Sequence, residues 1–158
     1  MILNLIKNKK GFTLNELVVA VSIMGILASV AIPRLSAVQY QTQKDTNIAN
    51  MNVIRETFFH YFYRQHMAGN PHCPPSPTNT GHLMDEEWAN APMDSSLSPL
   101  APKDLFSTGH VPLNSQENPF YYETIYDFDV DGSMKFTIIL KDIDIDSPSY
   151  DLSFSYSI

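Results

Sequence analysis

Cysteine occurs once, at position 73, and glycine six times in a chain of 158 residues. A lone thiol excludes an intrachain disulfide, so a domain facing an oxidising space would have to hold together by packing alone. Six scattered glycines leave no phosphate-cradling loop, and no nucleophile stands beside a base in a recognisable motif. The chain therefore reads as a non-enzyme. Basic residues are scarce too, 10 against 17 acidic. Arg55, Arg64, Lys103, Lys135 and Lys141 are scattered along the chain, which argues against nucleic acid as a partner, because phosphate backbones call for a clustered basic surface. His72, Cys73 and His82 sit at loose spacing in a proline-rich stretch and read as plain loop residues rather than a zinc set.

Charge is missing altogether from residues 17–32, LVVAVSIMGILASVAI. With Phe12 to Leu14 ahead of it, this run approaches the ~20 residues that cross a bilayer core. Glu16 lies near its start, where a carboxylate costs roughly 2.5 to 3.5 kcal/mol, so the acid is a functional residue in want of a partner. Lys7, Lys9 and Lys10 precede the run, whereas only Arg34 and Lys44 follow closely. By the positive-inside rule the leader stays cytoplasmic and the remainder is exported. Ser22, Gly25, Ala28 and Ser29 are small enough to let another helix approach closely.

This layout resembles the class III signal-peptide proteins, the type IV pilins and type II secretion pseudopilins. The resemblance rests on the basic leader ending in Lys9-Lys10-Gly11, on Phe12-Thr13-Leu14-Asn15-Glu16-Leu17, on the apolar helix with Gly25 and Ala28, and on Ala31-Ile32-Pro33 closing the run. The family usually has an apolar residue where Asn15 stands. The resemblance implies cleavage between Gly11 and Phe12 by prepilin peptidase and N-methylation of Phe12. It also implies extraction from the inner membrane into a helical filament by a cytoplasmic ATPase and an inner-membrane assembly platform. Partners would be further copies and other pilins or pseudopilins.

The pairing it implies has a physical basis. Cleavage would give Phe12 an α-ammonium group, as costly to strand in a low-dielectric filament core as the Glu16 carboxylate. Within one helix the two are about a turn apart, but a neighbouring subunit's Glu16 could align with the amine more directly. A buried pair of this kind fixes register, because axial slip leaves two unpaired charges. The competing reading is a conventional secretory signal cut after Ser29-Val30-Ala31, which would release a domain starting at Ile32. Glu16 counts against it, since a conventional apolar signal core gains nothing from a carboxylate.

Beyond the run, Ile48, Met51, Ile54, Phe58 and Tyr61 or Phe62 recur at three- and four-residue steps, the stripe of an amphipathic helix on a core. The polar stretch Gln39 to Asn47 implies that the helix crosses solvent or a neighbour before docking. Gly69 and Pro71 end it, Pro33 should bend it, and its length from Phe12 to Met67 comes to about 80 Å. Residues 70–120 hold nine of the eleven prolines and read as an ordered connecting region with few regular elements. The period then becomes two. Tyr126, Phe128 and Val130 alternate with acids, Asp131-Gly132 signals a hairpin, and Met134 to Leu140 and Leu152 to Ile158 continue the alternation as further strands. The fold expected is α+β: leader 1–11, membrane or filament-core helix 12–33, amphipathic helix 34–68, connection 69–120 and antiparallel sheet 121–158, with helix and sheet covering each other's apolar faces.

Asp127, Asp129, Asp131 and Gly132 match the opening of a calcium loop, but the ninth position is Lys135 and the twelfth Ile138, so the loop is incomplete. Asp142, Asp144 and Asp146 could complete an irregular oxygen site, and the resemblance implies calcium near the C-terminal sheet, as in major pseudopilins. Period-two placement of the first three acids favours a solvated strand face instead. The function expected is that of a structural subunit of a type IV pilus or type II secretion pseudopilus. The alternative from another class is a membrane-anchored or secreted binding module that never polymerises.

Overall fold

A computed structural model describes residues 11–93, 100–128 and 132–158. The element order is α1 (Leu14–Met67), α2 (Glu86–Asn90), a short 3-10 turn (Pro102–Leu105), then β1 (Tyr121–Phe128), β2 (Met134–Lys141) and β3 (Ser153–Ser157). One long N-terminal helix and a small three-stranded antiparallel sheet make an α+β, pilin-like architecture. Two compact units divide the chain, Met1–Gln39 and Tyr40–Ile158. The boundary between the units falls after Gln39.

In the first unit α1 continues through Pro33. Its serines turn their hydroxyls back onto the helix, Ser22 to the Val18 carbonyl at 2.8 Å and Ser29 to that of Ile26 at 2.7 Å, so the apolar run presents few open polar groups. Every large apolar side chain from Leu14 to Val38 is at least half exposed. An apolar surface of that extent is what a lipid phase or a partner covers.

The second unit is built on the rest of α1. Its buried residues are Asn47, Met51, Ile54, Phe58, Tyr61 and Phe62, one face at helical spacing. Docking begins earlier than the polar stretch 39–47 suggests, because Asn47 itself is fully buried, while Ile48 is only half-buried. The helix ends in a glycine cap. Gly69, at φ +83°, lets its amide reach the His66 carbonyl and that of Asn70 the Gln65 carbonyl, both at 3.0 Å.

The sheet order is β1-β2-β3. Register places Tyr122 opposite Leu140, and Leu140 opposite Phe154, on the face that carries the core. Phe58 lies at its centre, with ring centroids 4.8 Å from Tyr122 and 6.2 Å from both Trp88 and Phe106, and Phe62 meets Phe136 at 4.8 Å. The alternation read from Tyr126 onward continues a strand that starts five residues sooner. Its buried residue is Tyr122, while Tyr126 and Phe128 of β1 and Met134 of β2 are half or more exposed. The reason is that the buried stripe of α1 stops at Phe62, so the apolar face extends past its cover. Val130 lies outside the described residues.

The described part of the proline-rich connection is held by specific tertiary bonds. Asp85 caps α2 by accepting from the Trp88 amide, and the Trp88 indole donates to the Pro75 carbonyl at 2.8 Å. Backbone bonds from Tyr122 to His82 and from Met84 to Phe120 seal the outer edge of β1. Cys73 is buried within this core at 1% exposure, and burial pushes its thiol from an ordinary 9.0 up to about 11. Two results follow for the full chain in detergent. Alkylation at pH 8 should be slower than in denaturant by at least ~100-fold, the ratio that an opening free energy of only ~3 kcal/mol imposes. Its contribution to stability should be complete below about pH 9 and fade as pH rises toward about 11, because the unfolded thiol ionises first. Equal alkylation rates in folded and denatured chain would contradict the burial.

Candidate functional site

Gly11 and Phe12, the residues expected to flank the cleavage, precede α1 by way of Thr13, and Phe12 is 87% exposed. Thr13 is the helix cap. Its hydroxyl accepts from the Glu16 amide at 3.3 Å, and the Glu16 Oε2 accepts from the Thr13 amide at 2.9 Å and from its hydroxyl at 2.8 Å. This reciprocal capping box satisfies two of the amides that a helix start leaves open. It also fixes the rotamer of Glu16, holding one carboxylate oxygen against Thr13. Among the described residues Oε1 takes no partner, so the acid can keep its cap and still accept from a cation. Sequence reading found Glu16 by its cost in an apolar run and missed the role of Thr13, although Thr-x-x-Glu ahead of an apolar run is itself a capping signature.

A second arrangement lies within the Tyr40–Ile158 unit, around Asp142. Asp142 is fully buried and carries the loop that joins β2 to β3. Its Oδ2 accepts from the hydroxyls of Ser147 at 2.5 Å and Ser149 at 2.6 Å, and its Oδ1 from the Asp144 amide at 3.2 Å and the Asn114 amide group at 3.4 Å. Asn47 of α1 completes the network, donating to Ser147 and Ser149 at 3.0 and 2.7 Å and accepting from the Ser115 backbone at 2.7 Å. Two loops are thereby tied to the helix through one asparagine. Asp144 accepts from Asn114 at 2.8 Å and Asn118 at 2.9 Å, and those two amides, Asn118 first, hold its carboxyl below the usual range.

Of the candidate calcium residues, the four that lie among the described residues, Asp127, Asp142, Asp144 and Asp146, are not brought together as one set. Asp129 and Asp131 lie outside the described residues. Asp127 sits on β1 opposite Lys135, and Asp146 is exposed. Asp142 and Asp144 share Asn114, with both Asp142 oxygens already taken. Among the described residues no group of three His, Cys, Asp or Glu side chains is placed to hold a metal ion. His72 uses one ring nitrogen with the Tyr61 hydroxyl at 2.8 Å and the other with the Asn70 carbonyl at 2.7 Å. Apart from these, a cleft of about 530 Å³ is lined by Met84, Ala89, Lys103, Val111, Leu113 and Glu117.

The helix Leu14–Met67 is long and apolar enough near its start to cross a membrane, by length and composition. Residues 6–32 match the family model of the prokaryotic N-terminal methylation motif. The chain thus carries the class III signal of type IV pilins and pseudopilins, which prepilin peptidase processes and which marks structural proteins of pilin type. Comparison with curated proteins and with solved structures returned no match.

Proposed function

We propose that this chain is a filament subunit, a pilin or pseudopilin cut after Gly11, methylated on Phe12 and polymerised into a type IV pilus or a type II secretion pseudopilus. The observation that carries the reading is the Thr13–Glu16 capping box at the head of an apolar stave whose side chains are exposed on all sides. Before assembly the stave sits in the inner membrane with its basic leader in the cytoplasm. After extraction by the platform, the same surface packs against other staves, and the open oxygen of Glu16 accepts from the new amine of a neighbour's Phe12. Pro33 denies the Ser29 carbonyl its helical donor and is the weak point at which α1 bends to fit the packed core.

The binding-module reading has the cleft beside α2 in its favour, since its volume falls within the range of small-ligand sites. It gives no use to a carboxylate at the head of a membrane helix. Cells that carry the assembly machinery discriminate the two. Recovery of the chain in a sheared filament fraction supports the subunit reading. A chain that stays in the membrane as an anchored monomer overturns it.

A further inference from the structure

The two edges of the sheet differ. That of β1 is closed, by the Leu83–Tyr121 bridge, by the Tyr122 amide on His82 and the Met84 amide on Phe120, and by the Thr124 amide on the Ser76 hydroxyl at 2.9 Å. That of β3 is open. Phe136 and Ile158 exchange two backbone bonds, at 3.1 and 2.8 Å, so with Ile138 opposite Tyr156 and Leu140 opposite Phe154 the backbone groups of Phe154, Tyr156 and Ile158 turn inward to β2. Those of Ser153, Ser155 and Ser157 turn outward, and among the described residues no backbone bond is made to them. Natural sheet edges are guarded by lysine, proline or a bulge, and β3 carries none of these.

We infer that the open edge of β3 pairs antiparallel with β3 of a second copy, about a two-fold axis at Ser155. The strand is self-complementary about that residue. Ser155 faces Ser155 of the second copy and Ser153 faces Ser157, all as hydrogen-bonded pairs, so each outward amide meets an outward carbonyl. Any other register that sets serine against serine leaves one of the three without a mate. The intervening positions bring Phe154 to Tyr156 and Leu152 to Ile158 in the closer, non-hydrogen-bonded pairs, where aromatic and apolar side chains stabilise a sheet. Within one copy these four are only half-buried, and the rings of Phe154 and Tyr156 stack at 6.0 Å on the face that carries the core. The strand has no charge, so a copy of itself meets no repulsion across the axis. A two-fold contact closes on itself. It therefore stands apart from the contacts that propagate a filament, and the inference does not rest on the subunit reading.

The test uses the full chain in detergent, with micelles in excess so that the apolar helices are kept apart. Mild oxidation of Ser155→Cys should give a covalent dimer and nothing larger, because Cα atoms in a hydrogen-bonded pair stand about 5.5 Å apart, within disulfide reach, and native Cys73 is buried. Ser153→Cys and Ser157→Cys should each stay monomeric, since like positions then lie roughly 14 Å apart along the strands. Combined in one chain, they should dimerise. Ser155→Pro removes an outward amide that the fold itself does not use, and should weaken dimerisation about tenfold or more through the two central bonds it deletes. Slow alkylation of Cys73 shows that this variant is folded. Equal oxidation of the three single cysteine variants, or of none, overturns the inference. So does a folded Ser155→Pro chain that dimerises as tightly as the parent. In cell membranes, a disulfide from Ser155→Cys to another protein in place of its own copy also overturns it.

Discussion

Glu16→Ala should insert into the membrane as well as the parent, or better, and yet all but vanish from the sheared filament fraction. Insertion improves because a carboxylate in the apolar run costs roughly 2.5 to 3.5 kcal/mol. Assembly fails because the Phe12 amine of each neighbour is left buried without its counter-charge. Breaking one member of a buried pair costs about 3 to 5 kcal/mol, a factor of roughly 100 to several thousand per contact. The variant also loses the carboxylate half of the capping box with Thr13, worth about 1 kcal/mol, which is too little to melt a helix the membrane itself supports. Glu16→Gln is the sharper comparison. It keeps an acceptor for Thr13 but not the charge, so it should insert normally and still assemble poorly. Filament yield from Glu16→Ala equal to that of the parent would remove the pairing from the account.

Asp142→Ala should be the most damaging single change outside the hydrophobic core. The carboxylate organises two buried hydroxyls, the Asn114 amide and a backbone amide, and its removal leaves those donors to find one another. Hydrogen bonds to a charged acceptor are worth about 1.5 to 3 kcal/mol each, partly recovered here because Ser147 and Ser149 already contact each other at 3.1 Å and both receive from Asn47. A net loss of about 2 to 4 kcal/mol, or roughly 10 °C in the melting of the full chain in detergent, is expected. Asp142→Asn should lose less than half of that, since the serine hydroxyls can rotate to accept. Asp146→Ala, on an exposed side chain, should change stability by no more than about 0.5 kcal/mol. If Asp142→Ala proves neutral or stabilising, the desolvation of the buried charge outweighs its hydrogen bonds. The neighbouring Asp144 adds a pH dependence. Its carboxyl is lowered by Asn118 and Asn114, so its contribution is present above the ordinary carboxylate pKa and is lost as pH falls through the lowered value.

Where pattern and physics coincide, this chain is legible from its letters. The stripe Met51, Ile54, Phe58 and Phe62 announces its buried face because apolar residues recur at the helical period, and Gly69 announces the end of α1 because only a left-handed residue closes that cap without strain. The apolar run and its acid are read as easily, since nothing but a membrane or a packed filament tolerates the first and nothing but a partner tolerates the second. Asn47 is different. A polar residue on a helix reads as solvated, and its burial depends on Ser147 and Ser149 standing roughly a hundred residues away, a juxtaposition with no local signature. Asp142 is hidden for the same reason: in the sequence it is one of three evenly spaced acids, and only the fold buries it while leaving Asp146 in solvent. The exposed Tyr126 and Phe128 mislead in the opposite direction, because alternation reports which face a side chain takes but not how far the covering helix extends. The connection reads as ordered from its prolines and apolar islands, but the particular tertiary bonds that hold its described part, such as that of the Trp88 indole to Pro75, have no signature in composition.

The mature N-terminus, read by mass spectrometry on protein extracted from cells with an active prepilin peptidase, tests the central claim most directly. The account predicts a chain that begins at Phe12 and carries one methyl group on its α-nitrogen. A chain beginning at Ile32, or one retaining the leader through Gly11, would contradict it, because no amine would then exist to meet the Glu16 of a neighbour.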